Sequence, residues 1–94
     1  MERLLVGDEY LTLENEDTTM LKYYVLEESI YQKNTNDERK TYGLEIEKWT
    51  KDSVERGVVH DVTTKKDVAF EMMDLLKENK LMPVHLKEVV MDML

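Results

Sequence analysis

The clearest pattern of apolar and polar positions lies in the C-terminal third of the chain, from Thr64 to Leu94. Apolar residues recur there at intervals of three and four, which at about 100° per residue places them on one side of a helix. The first set predicts a helix over residues 65–79 whose core side carries Val68, Met72, Leu75 and Leu76. The second predicts a helix over residues 83–94 whose core side carries Leu86, Val89, Val90, Met93 and Leu94. Helices this short are marginal alone in water, so both must pack on an earlier segment of the chain.

The ends of these helices carry recognisable signals. Thr64 is a good N-cap for the first helix, and Thr63 offers an alternative one residue earlier. Asn79 tolerates the left-handed backbone that closes a helix. Pro83 fits the first position of the second helix, where its missing N–H costs nothing. We therefore expect two helices joined by a short turn.

Residues 1–62 show strand patterns instead. Residues 4–14 form a weak pattern in which Gly7-Asp8 resembles a turn, and residues 20–32 contain an apolar run, 23–26, that is typical of a central strand. Residues 40–50 alternate, with Tyr42, Leu44 and Ile46 inward and Glu45 and Glu47 outward. Residues 54–62 predict a last strand interrupted by Gly57, and polar segments at 14–19, 33–38 and 51–53 predict the connections.

The order of these elements predicts the fold. A three- or four-stranded antiparallel meander followed by two C-terminal helices packed on one face is a two-layer α+β arrangement. At 94 residues the chain is expected to be a single domain over residues 1–94, with a strand-rich segment over residues 1–62 and helices over 65–79 and 83–94.

Composition narrows the function classes. A formal net charge of −8 and a pI near 4.7 disfavour direct binding to DNA or RNA, because phosphates would be repelled and no basic patch is visible. The absence of cysteine excludes disulfides and thiolate metal sites and is compatible with a reducing cytoplasm. The N-terminus has only three consecutive apolar residues, far short of a signal-peptide core or a membrane span. We expect a cytoplasmic protein that does not bind membranes.

Several segments carry a resemblance to a known family. They are Lys22–Glu28, Tyr42–Glu47, Asp61–Lys66 and Asn79–Asp92, the last with a Pro83-Val84-His85-Leu86 helix start and Asp92 near the end. Over about three quarters of its length the chain resembles a family of short bacterial proteins of unknown function. The resemblance implies a bacterial cytoplasmic origin and no known activity, cofactor or partner. The chain departs from the family pattern at Met82, where Ser or Thr would cap the second helix; His85 could reach back to the N-cap backbone instead.

Two groups of residues are candidates for chemistry. His85, Glu88 and Asp92 share the polar side of the last helix, as metal ligands can, but a solvated charged face is the commoner outcome. His60-Asp61 has the residue types of a general base and its orienting partner, without an activated nucleophile. Neighbouring strand residues also point to opposite faces unless a bulge intervenes. We therefore expect no catalysis, no metal and no cofactor.

The first functional hypothesis is a small protein-binding or regulatory module. Phe70 and Met73 lie away from the centre of the predicted core stripe and would either bind a partner or be covered by the rest of the chain. Trp49 falls on the outward phase of its strand, as a third candidate partner-binding residue, either re-aimed by a bulge or lying over long side chains. An exposed sheet edge is the other candidate surface, and pairing of two such edges leaves a homodimer open.

The second hypothesis is an acidic inhibitor that occupies a nucleic-acid-binding groove on another protein. Its carboxylates would stand in for phosphates, and the candidates are Glu27, Glu28, Glu45 and Glu47. Charged contacts of that kind would weaken steeply with salt.

Overall fold

The computed structural model describes residues 1–12, 18–31 and 38–94. Four strands come first: β1 Glu2–Thr12, β2 Thr18–Tyr31, β3 Glu38–Trp49 and β4 Val54–Thr63. They form one antiparallel sheet in the order β1-β2-β3-β4, so each strand pairs with its neighbour in sequence. The meander predicted from the sequence is confirmed, with four strands. The polar connections predicted at 14–17 and 33–37 lie outside the described residues.

The helical elements follow the sheet. Helix α1 runs over Lys66–Glu78, a short 3₁₀ turn over Pro83–His85, and helix α2 over Leu86–Met93. They pack on one sheet face, where alternate strand residues meet helix residues in a single apolar core. Its fully or nearly buried members are Leu21, Tyr23, Val25, Tyr42, Leu44, Ile46, Ala69, Met73, Leu76, Leu86 and Val90. The α+β fold, with both helices on one face, is thereby confirmed.

Strand β1 contains a bulge where the sequence predicted a turn. Leu5 lies opposite Tyr24 and Gly7 opposite Tyr23, so Val6 is an extra residue in β1 and the strand continues on either side of it. The turn at Gly7-Asp8 is therefore wrong. A Cβ on Gly7 would lie 2.9 Å from the Lys77 Cδ atom, which shows that Gly7 faces the helices.

Helix α1 is rotated relative to the predicted stripe. Ala69 and Met73 are fully buried and Leu76 nearly so, whereas Leu75 is 48% exposed. The prediction that Leu75 faces the core is wrong, and the buried side is turned by about 80° from the predicted centre. The reason is that Ala69 allows the helix to approach the sheet closely. The covered arc then reaches from Met72 on one side to Phe70 on the other, both of which pack against the core.

The helix ends also differ from the predictions. The N-cap of α1 is Lys65 rather than Thr64, and the Thr63 Oγ1 atom accepts a hydrogen bond from the Lys65 N–H at 3.1 Å. Asn79 has φ −86°, so it does not take the left-handed conformation; Lys80 does, with φ 51°. The Asn79 amide instead donates from Nδ2 to the Leu75 carbonyl at 2.8 Å. Pro83 opens the 3₁₀ turn as predicted, and the His85 side chain makes no capping bond to α2.

Two contacts hold the segment between the helices on the sheet. The Tyr23 hydroxyl, at the centre of the buried face, donates to the Leu81 carbonyl at 3.2 Å. Gly57 of β4 lies so close to the Pro83 backbone that a Cβ at Gly57 would collide with the Pro83 carbonyl. These contacts fix the helical layer on one face, so that neither helix of the described residues covers the other face of the sheet.

Candidate functional site

The second face of the sheet, which we call the open face, is built by the strand residues that alternate with the core residues. Because successive side chains of a strand point to opposite faces, Lys22 and Tyr24 lie on the open face while Leu21 and Tyr23 lie in the core. The strand register then places open-face residues opposite one another in rows that cross all four strands.

The first row is apolar. Tyr10 lies opposite Met20, Met20 opposite Trp49, and Trp49 opposite Val54, one residue from each strand. Tyr10 is 65% exposed, Val54 45% and Trp49 39%. Cross-strand neighbours on one face lie about 4.5–5.5 Å apart at Cβ, so these four side chains form a continuous exposed apolar row. Exposed patches of this kind mark interaction surfaces more often than isolated apolar residues do.

The second row is charged and alternates in sign. Asp8 lies opposite Lys22, Lys22 opposite Glu47, and Glu47 opposite Arg56. The Lys22 Nζ atom also lies 5.3 Å from the Trp49 ring centroid, a cation–π contact that links the charged row to the apolar row.

A third row, which we call the mixed row, places Leu5 opposite Tyr24, Tyr24 opposite Glu45, and Glu45 opposite Val58. Leu5 is 54% exposed and Val58 36%, so both outer strands present an apolar side chain in this row. The Arg3 guanidinium carbon lies 4.2 Å from the Tyr24 ring centroid, over the aromatic face.

Two carboxylates on the open face are buried beneath arginines. Glu45 and Glu47 are 4% and 2% exposed. Arg3 Nη2 lies 2.8 Å from Glu45 Oε1 and 3.0 Å from Glu47 Oε1. Arg56 reaches the same two residues, with Nε 3.1 Å from Glu45 Oε1 and Nη2 2.8 Å from Glu47 Oε2. Buried carboxylates require such partners, and here the two pairs neutralise each other.

The electrostatics of this cluster follow from its contacts. Burial alone would raise the pKa of Glu47, but hydrogen bonds from Arg56 and Tyr24 and the charges of both arginines outweigh it, and the pKa is lowered. Burial is also the largest cause of the raised pKa of Tyr24, reinforced by the neighbouring carboxylates. The cluster is therefore fully charged at neutral pH and holds four side chains in place across three strands.

The structure separates the three predicted partner-binding residues. Met73 is fully buried and Phe70 is half-buried against the core, so the covered alternative describes this side of α1. Trp49 remains on the open face without a bulge, because its register with Met20 and Val54 is regular. It lies over the long Lys22 side chain, as one of the two alternatives expected.

The residues considered for chemistry are held by other partners. The β4 register shifts between Val59 and Thr63, and within this bulge Asp61 has φ 53°. The His60 Nδ1 atom lies 2.7 Å from Glu28 Oε1, while Asp61 accepts a short hydrogen bond from the Thr41 hydroxyl. The bulge that pairing of His60 with Asp61 required is present, but it directs the two side chains to different strands.

The acidic and histidine side chains of the last helix are dispersed on its surface. His85, Glu88 and Asp92 are all exposed, and residues 1–12, 18–31 and 38–94 contain no group of three His, Cys, Asp or Glu placed to hold a metal ion. A shallow cleft of about 510 Å³ lies at the end of the sheet opposite the apolar row, lined by Met1, Glu2, Glu27, Glu28, Ser29 and Lys40. Glu27 there pairs with Lys40 Nζ at 2.9 Å, whose hydrogen bond lowers the Glu27 pKa.

Both outer strands are interrupted. The bulge at Val6 breaks the regular register of β1, and the bulge at residues 60–62 breaks that of β4. Bulges at an edge twist it away from further strand pairing. The open face, rather than a sheet edge, is therefore the larger regular surface that the described residues present.

The sequence pattern identifies Trp49 on this face and does not identify its neighbours. Alternation places Tyr10 on the face opposite Leu11, but the alignment of Tyr10 with Met20 and Val54 depends on three strand registers. The signal in the sequence is the apolar residue at the turn-facing end of each strand. Arg3 and Arg56 carry no signal, because their partners lie 42 and 9 residues away.

The fold and this face define a two-layer α+β protein with helices on one side of a meander sheet and an exposed, aromatic-bearing face on the other. The chain belongs to a family of unknown function, DUF6514, whose model matches residues 2–94. No curated protein and no solved structure matches it. Among the described residues, no helix is long and apolar enough to cross a lipid bilayer.

Proposed function

We propose that the chain is a small, non-catalytic protein-binding or regulatory module that binds its partner through the open face. The observation that carries the proposal is the apolar row Tyr10, Met20, Trp49 and Val54, which crosses all four strands on the face opposite α1 and α2. Tyr, Trp, Met and Arg are the residue types enriched at the centres of protein interfaces.

The rest of the open face supports this use. Arg3 and Arg56 are held in fixed positions by Glu45 and Glu47, so their immobilisation on binding would cost little further entropy. A rigid, flat surface with an apolar row beside ordered charges fits a folded protein better than a small ligand, which needs a concave site.

The phosphate-mimic alternative has less support. Its four candidate carboxylates each have a cationic or imidazole partner within the chain: Glu45 and Glu47 have Arg3 and Arg56, Glu27 has Lys40 and Lys66, and Glu28 has His60. Carboxylates already neutralised in this way present little negative charge to a basic groove.

The compartment and origin belong to the same proposal. The chain has no cysteine, which suits a reducing bacterial cytoplasm, and its net charge of −8 makes a nucleic-acid partner unfavourable. We therefore place the module among cytoplasmic proteins with a protein partner.

The test compares two exposed apolar surfaces. The Trp49→Lys and Tyr10→Ser variants disrupt the apolar row, whereas Met91→Lys and Val84→Ser change residues that are 63% and 75% exposed on the helical side. Affinity-tagged chains are used to capture proteins from a lysate of the source organism, and the mass of each intact complex is measured. We expect the row variants to lose the bound protein and the helical-side variants to retain it. Equal capture by all four variants would refute the proposal.

A further inference from the structure

We propose that the partner of the open face is a second copy of this chain, which rests on the proposed function. The two sheets would pack face to face with a two-fold axis parallel to the strands, giving helix, sheet, sheet and helix layers. In that arrangement β1 of one copy lies over β4 of the other, and β2 lies over β3. The order of charges on the face favours this pairing.

The charged row is complementary to its own reverse. Read from β1 to β4 it is Asp8, Lys22, Glu47 and Arg56, with signs minus, plus, minus and plus. A two-fold axis along the strands reverses this order in the partner copy. Asp8 then faces Arg56 and Lys22 faces Glu47, each twice, so every charge in the row meets the opposite charge. Electrostatic complementarity of this kind fixes orientation and register at an interface.

The two apolar sets match under the same operation. Met20 faces Trp49 of the other copy, a thioether–aromatic contact, and Tyr10 faces Val54. In the mixed row, Leu5 faces Val58, and both are exposed in the single chain. Aligned packing of two sheets, with strand directions inclined by about 30°, accommodates these contacts.

Net charge also favours a second copy on this face. The three rows and Arg3 contain three basic residues, Arg3, Lys22 and Arg56, and three acidic residues, Asp8, Glu45 and Glu47. Their formal charges cancel, although the whole chain carries −8. The open face is thus a neutral region of an acidic protein, where two like-charged copies can approach with the least repulsion.

The available area indicates a reversible dimer. Four strands spaced about 4.8 Å apart, over about eight residues each, cover roughly 500–600 Å². Two copies would bury about 1,000–1,200 Å² in total, at the lower end of specific interfaces. We therefore expect dimers at high concentration that dissociate on dilution.

The experiment measures the mass of the purified chain by light scattering and by sedimentation over a range of concentrations. The monomer has a mass of 11.2 kDa, and the wild-type chain is expected to approach twice that value as concentration rises. Leu5→Glu and Val58→Lys each place a charge opposite an apolar side chain of the other copy. Each variant alone is expected to weaken dimerisation at least about tenfold. Circular dichroism and urea unfolding show that each remains folded, as expected for exposed positions.

Mixing the two variants tests the arrangement itself. A Leu5→Glu chain and a Val58→Lys chain together form one Glu–Lys pair and retain one Leu5–Val58 contact, so the mixture should dimerise where neither variant does. Val84→Lys, on the helical side, replaces Val58→Lys as the control and should not rescue Leu5→Glu. Rescue by Val58→Lys alone supports β1 over β4.

Three outcomes would overturn the inference: a wild-type chain that stays monomeric, a dimer that survives both single changes, or a mixture that does not recover. In each of these cases the proposed function would still hold if Trp49→Lys abolished capture of another protein. It would fall as well if that variant captured the same proteins as the helical-side controls.

Discussion

Glu47 is a charged group on the sheet face opposite the helices, yet its side chain is buried beneath two arginines. We predict that Glu47→Gln lowers the free energy of unfolding at neutral pH by about 1–2 kcal/mol, because it removes charge-assisted hydrogen bonds within a buried cluster. Urea unfolding followed by circular dichroism measures the change. Glu55→Gln, an exposed residue of β4, is the control and should change stability by less than about 0.5 kcal/mol.

The same variant tests the pH dependence of folding. The pKa of Glu47 is lowered in the fold from its ordinary 4.5, so the unfolded chain takes up this proton more readily than the folded chain. Its stabilisation is therefore present above about pH 4.5 and is lost as the pH falls through the lower folded pKa. Between about pH 5 and pH 3 the wild-type chain should lose more stability than Glu47→Gln. Parallel curves for the two proteins would contradict the lowered pKa.

Tyr23 predicts a loss of stability at the alkaline end. Burial, with the nearby charge of Glu9, raises its pKa from 10.0 to about 12, and its hydroxyl donates to the Leu81 carbonyl. A raised pKa means that the unfolded chain releases the proton first, so this contribution is complete below pH 10 and is lost as the pH rises toward 12. Tyr23→Phe should cost about 1 kcal/mol at neutral pH and show a smaller decline between about pH 10 and 12. The exposed Tyr10→Phe is the control.

Alternation along β3 is enough to separate Glu45, Glu47 and Trp49 from the core side of that strand, and the structure confirms that separation. Their burial cannot be predicted in the same way. It depends on Arg3, which is brought over the two carboxylates only after β1 pairs with β2 and β2 with β3. A local pattern reports the face of a side chain, whereas its cover depends on residues distant in sequence.

At the scale of elements, the orientation of α1 gives the sharpest test. Met73 is fully buried and Leu75 is 48% exposed, the reverse of what the apolar stripe predicts. We therefore expect Met73→Ala to cost about 2–5 kcal/mol and Leu75→Ala less than about 1 kcal/mol, because only the first leaves a cavity. Urea unfolding measures both. A larger loss for Leu75→Ala would show that the helix lies with its predicted stripe inward.

The error in α1 has a general cause. The moment of a helix is dominated by large apolar residues, and a small residue such as Ala69 adds little to it although it lets the helix approach the sheet most closely. In β1, similarly, Gly7 indicates either a turn or a bulge, and the sequence alone does not decide between them. The strand continues there because residues on both sides of Val6 find partners on β2.

At the scale of the molecule, the order of strand and helix patterns is sufficient to predict the α+β meander and the single face that both helices cover. It cannot predict a regular, neutral surface on the opposite face. That surface exists because three strand registers align Tyr10 with Val54 and Asp8 with Arg56, and each register is set by connections and bulges rather than by composition. The functional hypothesis therefore shifts from the α1 side to the open face, and only Trp49 is common to both.

The salt dependence of self-association follows from charge at this scale. Two copies that each carry −8 and lie about 20 Å apart repel by on the order of 13 kcal/mol as point charges in water, and by about 2 kcal/mol at 0.1 M salt. The opposed pairs of the charged row contribute at most about 1 kcal/mol each and are also screened. The net repulsion is the larger effect, so raising salt from about 0.01 to 0.1 M should strengthen the dimer. Sedimentation at fixed protein concentration measures this, and dissociation over that range would show that attraction between charged groups dominates.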